Sequence, residues 1–174
     1  MKKYSAMLML LTIFVLSTQQ VIAMSFLGFK VCLASDSRGL VTENGVPLEG
    51  AKVTRNVNNK GEHFEDETTT DASGRFSFPA IYDRSLWKHM PVEPIISQEV
   101  IVTYKGKSHT AWDLTKGNLD YNGELNSDIA RKNNTAIPFD VTCELNDEER
   151  ARQLPESMQL IYGKCITAGE PPAN

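Results

Sequence analysis

Apolar residues at every second position, in runs cut short by turn residues, set the limits on what this chain can fold into. In "TTTDASGRFSFPA" (68–80) Asp71 and Gly74 bracket a turn, and Phe76, Phe78 and Ala80 then alternate with Arg75, Ser77 and Pro79. In "NGVPLEGAKVTRNV" (44–57) Asn44-Gly45 signals another turn. After Gly50, Ala51, Val53 and Val57 share one face while Lys52, Thr54 and Asn56 take the other. A period of two marks a strand with one face in a core and one in water. "IISQEVIVTY" is apolar enough for a central strand, and "TAIPFDVTCEL" sets Ile137, Phe139, Val141, Cys143 and Leu145 on one side. "LVTE" reads as a short edge strand, "NNKGEH" (58–63) as a loop tip and "FEDETTT" as an exposed strand. There is no heptad, βαβ alternation or internal repeat. Short strands at this spacing predict an all-β antiparallel sandwich over residues 24–145.

The end of the chain departs from that pattern. In "NDEERARQLPESMQLIYGK" Asn146 can cap a helix whose first turn is acidic, and Pro155 must break or restart it. Residues 146–174 are therefore expected to form one short C-terminal helix and a tail.

The other end carries a different signal. Lys2 and Lys3 precede the apolar run "AMLMLLTIFVL", and "VIA" closes at Ala23, the pattern of a secretory signal peptide over residues 1–23. The apolar run is short for a bilayer crossing and no later run is longer, so no stable membrane span is expected after cleavage. The expected location is the periplasm or the medium. A formal net charge of −4, with no cluster of Lys or Arg, gives nucleic acid no surface to bind.

The two quoted stretches carry a resemblance. "NGVPLEGAKV" followed by "TTTDASGRFSF" resembles the carboxypeptidase regulatory-like (transthyretin-like, prealbumin-type) domain. Gly45, Pro47, Leu48, Gly50, Ala51 and Val53 fit its first hairpin, and Thr70, Asp71, Gly74, Phe76 and Phe78 its second. "EVIVTYKGKSHTAW", "GELN" and "FDVTCEL" are similar to a subgroup of small exported bacterial proteins known only as a domain of unknown function. The resemblance implies a seven-stranded sandwich, usually a non-catalytic module. The same fold family includes a hydrolase of purine breakdown products, but its C-terminal Tyr-Arg-Gly-Ser motif has no counterpart in "GEPPAN". It also includes dioxygenases that hold iron with two Tyr and two His.

The residues themselves offer little for catalysis. The histidines, His63, His89 and His109, are scattered, so neither a metal site nor a cofactor is expected. Ser108 and His109 are adjacent, and neighbours on a strand point to opposite faces. Recognition remains. Trp87 and Trp112 lie in polar surroundings, Asp113 follows the second, and Tyr104 ends the central strand run. These four are the candidate binding residues, with aromatic anchors as the rationale. Export favours a disulfide, for which Cys143 with Cys165 is the expected pairing and Cys32 with Cys165 the rival. The expected function is a non-catalytic protein-binding module, in the manner of an immunity protein that neutralises an antibacterial effector, with long polar loops at 58–63 and 115–134 as its support. A carbohydrate or peptidoglycan binder is the alternative reading, and a transthyretin-like hydrolase a third.

Overall fold

The computed structural model describes residues 29–85, 95–116, 138–154 and 160–167. The expected leader 1–23, Trp87, His89, residues 117–134 of the expected loop at 115–134 and the expected tail lie outside them, while Thr115 and Lys116 of that loop are strand instead. Thirteen strands are present among the described residues: β1 (Phe29–Ala34), β2 (Ser37–Glu43), β3 (Val46–Pro47), β4 (Lys52–Asn59), β5 (Glu62–Thr69), β6 (Arg75–Phe78), β7 (Ile81–Ser85), β8 (Ile96–Tyr104), β9 (Lys107–Lys116), β10 (Phe139–Glu144), β11 (Arg150–Gln153), β12 (Leu160–Gly163) and β13 (Cys165–Thr167). They form a six-stranded sheet in the order β11-β12-β9-β8-β4-β5. A second sheet runs β13-β10-β2-β3 with β6 also on β2, and β1 pairs with β7 as a separate ribbon. All pairings are antiparallel except β10 with β2. The expected all-β sandwich is what the chain builds, with more strands than the seven implied by the resemblance.

Hairpin geometry comes from dipeptides with positive φ at both positions: Asn44-Gly45, Lys60-Gly61 and Lys105-Gly106. Such type I′ turns match the twist of the flanking strands. Lys60-Gly61 corrects one expectation, because residues 58–63 are no loop: Asn58 pairs with His63 and Asn59 with Glu62 across a two-residue turn. "LVTE" is likewise no edge, since β2 has β10 on one side and β3 and β6 on the other.

The core fills the space between the sheets with Val41, Val53, Phe76, Phe78, Val100, Val102, Trp112, Phe139, Val141 and Ile161. Trp112 sits at its centre, fully buried, stacked 6.4 Å from Phe76 and edge-on 5.4 Å from Phe139. This corrects its assignment as a surface anchor. A bulge explains why the pattern hid it: Val100 faces Trp112 and Ile101 faces Thr110, so Ala111 is an extra residue and shifts the phase. Tyr104 is half-buried and packs against the same core.

The expected C-terminal helix does not form among the described residues. Residues 150–153 and 160–163 are strands, with β12 paired to both β11 and β9. Pro155 limits any helix from Asn146 to about two turns, too short to hold without packing. The open edge of β9 offers backbone partners instead, and pairing overrides local propensity. The segment after residue 146 is thus part of both sheets rather than an appendage. Gly163 makes the crossing possible, because a Cβ there would overlap the Ala111 carbonyl. Cys143 and Cys165 are then directly opposed on β10 and β13 and form a disulfide, the expected pairing, while Cys32 is buried and stands outside that bridge. What the bridge ties down is a strand, not a helix.

That bridge spans 22 residues of sequence, and a cross-link of this length contributes roughly 3 kcal/mol in the chain-entropy account. Urea unfolding of Cys143→Ser/Cys165→Ser should show a loss near that value. An unchanged midpoint would mean that β13 holds without the bridge.

Candidate functional site

The register of the six-stranded sheet brings together residues far apart in sequence. On its outer face Glu65 lies opposite Asn56, Asn56 opposite Glu99, Glu99 opposite Asp113, and Asp113 opposite Tyr162. One row of side chains therefore crosses five strands. A shallow groove of about 470 Å³ runs along it, lined by Asn56, Asn58, His63, Ser97, Glu99 and Asp113. Glu99 and Asp113 are both exposed and directly opposed, an arrangement of like charges that weakens an isolated sheet. Tyr162 is 47% exposed at the end of the row, with Leu160 beside it at 64%. Ile101, half-buried, faces Thr54 and Thr110 and adds apolar surface on the side of the row away from Ser97 and Asn58.

Of the expected binding residues that the structure describes, Asp113 alone reaches this groove. Trp112 points the other way into the core, and Tyr104 lies at the far end of β8 with the Lys105 ammonium 4.8 Å from its ring. Trp87 is outside the described residues. Nothing in the local sequence marked Asn56, Ser97 or Glu99; only strand register joins them. Tyr162 was hidden by the helical reading of its segment.

Ser108 and His109 do occupy opposite faces. The Ser108 hydroxyl meets Thr103 Oγ1 at 3.0 Å on the outer side. His109 faces Val102 across β8 and β9, and burial holds its pKa below the usual value, helped by Lys164 and Lys107 against the opposing pull of Glu149 and Glu43. Among the described residues no group of three His, Cys, Asp or Glu side chains could hold a metal ion. No described helix is long and apolar enough to cross a membrane.

A second carboxylate has a structural task. Glu144 accepts hydrogen bonds from the backbone N–H of Asn44 and of Gly45, both 2.9 Å, from Asn146 N–H at 3.2 Å and from the Thr42 hydroxyl at 2.9 Å. It thereby fastens the β2–β3 turn to the end of β10. Burial alone would raise its pKa, but these donors outweigh burial and hold it below the usual range.

The fold and this face define an all-β sandwich with a broad polar sheet surface among the described residues. The model of the family described as "Domain of unknown function (DUF6795)" matches residues 37–148, more than half of the chain, and the chain belongs to that family. No curated protein and no solved structure matches it.

Because the folded pKa of Glu144 lies below its ordinary 4.5, its contribution to stability is fully present above that pH and is lost as pH falls through the folded value. Glu144→Gln should cost about 1 kcal/mol at neutral pH and flatten the acid limb of the stability curve. Urea midpoints measured from pH 3 to 7 check both; parallel curves for the two proteins would contradict the assignment.

Proposed function

We propose that this protein is an exported, non-catalytic binding module whose six-stranded sheet face receives a basic protein partner, as an immunity protein neutralising an antibacterial effector would. The observation that carries the reading is the opposed pair Glu99 and Asp113, in one exposed row with Glu65 and ending at Tyr162. Two carboxylates face to face repel each other until a cation lies between or over them, so the arrangement favours a partner that brings positive charge. Tyrosine is a frequent anchor in such contacts, because it buries a large ring at low entropic cost and keeps a polar end. A sheet holds the row in place before binding, which limits the ordering cost of association. Export is supported by the basic and apolar leader and by the disulfide, which forms in oxidising compartments. The resemblance to regulatory-like modules supports a role without turnover.

One observation favours a second reading. Amide and carboxylate side chains at Asn56, Asn58, Glu99 and Asp113, with an aromatic ring close by, can also hydrogen-bond and flank a sugar. Ionic strength separates the two, since charge-driven docking weakens with salt and sugar binding does not.

Affinity capture from envelope extract of the source organism tests the proposal. The wild type should retain a basic protein in stoichiometric amount, and Glu99→Lys/Asp113→Lys should bind it at least tenfold more weakly, a change of about 1.4 kcal/mol or more. Retention of glycan in place of protein, insensitive to salt, would transfer the assignment to the second reading.

A further inference from the structure

The end strands of the two large sheets differ in length. β3 has two residues, β13 three, and β6 and β11 four each, whereas β5 has eight. β5 pairs with β4 along all eight positions without a register shift, and among the described residues no strand lies on its other side. An edge of that kind presents a row of N–H and C=O groups able to pair with another strand. Proteins blunt long edges with lysine, proline or a bulge; β5, "EHFEDETT", has none of these.

Its protection is acidic, and that selects among possible occupants. Asp66 turns inward to Arg55, Glu67 meets Lys52 and His63 lies 3.6 Å from Glu65, which leaves Glu62 and Glu65, on opposite faces of β5, exposed with no lysine or arginine partner among the described residues. A second copy of β5 would set acid against acid. A strand bearing lysine or arginine would set opposite charges in cross-strand positions, which stabilises a pair. At the other end, Thr68 and Thr69 share a groove of about 320 Å³ with Arg38 and Arg75, so the basic stretch is confined to the part opposite Glu62–Glu67.

We propose that the partner docks by adding a strand to β5, through an extended segment with basic side chains three positions apart, one on each face, opposite Glu62 and Glu65. This rests on the protein-binding reading above and names how that partner is held: the added strand extends the sheet, and the rest of the partner lies over the Glu99–Asp113 row.

A capped, fluorescein-labelled octapeptide of valine with two lysines three positions apart serves as the probe, added to the purified protein. Saturable binding should slow amide exchange within residues 62–69 at least tenfold, and a glutamate–valine peptide should not bind. Glu62→Lys/Glu65→Lys, both at exposed positions, should weaken binding more than tenfold with an unchanged circular dichroism spectrum and melting temperature. Binding without slowed exchange at 62–69, equal binding by the variant, or no binding overturns the proposal. Capture of the same basic envelope protein by wild type and by Glu62→Lys/Glu65→Lys alike removes the edge pairing and leaves the protein-binding reading standing. Capture of no protein by either overturns both.

Discussion

Arg55 is where the three sheets meet. Its side chain is fully buried on β4, between Val53 in the main core and Val57 in the smaller cluster under β1. Nε and Nη2 donate to the two oxygens of Asp66 at 2.9 and 2.6 Å, Nη1 to the Ser35 carbonyl at 3.2 Å and Nη2 to the Pro79 carbonyl at 2.7 Å. The guanidinium also lies 4.7 Å over the Phe78 ring. One residue thus joins β4, β5, the chain leaving β1 and the chain leaving β6. Burying a guanidinium costs several kcal/mol, which only near-complete hydrogen bonding offsets, and here its donors are nearly all engaged. Lys116 repeats the device on β9: its ammonium, also fully buried, donates to the Cys32 carbonyl at 2.6 Å. Among the described residues β1 pairs with β7 alone, and two basic side chains donate to carbonyls on its inner side where a neighbouring strand would otherwise stand.

The arrangement leaves polar surface that the proposed binding would use. With the interior closed by Arg55 on one side and by the Cys143–Cys165 bridge on the other, the outer face of the six-stranded sheet keeps Glu99, Asp113 and Tyr162 exposed. It can then hold the repulsion between Glu99 and Asp113. The family match ends at residue 148, so Cys143 lies within it and Cys165 beyond it. The bridge fastens β13, and with it the chain that carries Tyr162, to the part of the protein that the family defines.

Much of the fold could be read from period alone. Phe76, Phe78 and the β8 and β10 faces are buried as their alternation predicts, because each strand has one inner and one outer side. Arg55 escaped because it occupies an inward position in that same period, where a charged residue looks like a break in the pattern. The available signal was Asp66, in phase on the next strand across a two-residue hairpin. Trp112 was hidden by the bulge at Ala111, and Tyr162 by acids that look like a helical first turn. The row from Glu65 to Tyr162 was legible only in part, since register between distant strands decides it and no local rule reports register.

The account stands on Arg55 joining the sheets, and a double-mutant cycle in urea measures that most directly. Arg55→Met should lower stability by about 3 kcal/mol or more, since it strands Asp66 and two carbonyls, and faster amide exchange should follow in residues 30–34. Asp66→Asn should cost less, and the double variant should be no less stable than Arg55→Met alone, because the pair acts as a unit. A loss under about 1 kcal/mol for Arg55→Met, or strictly additive losses, would contradict the account.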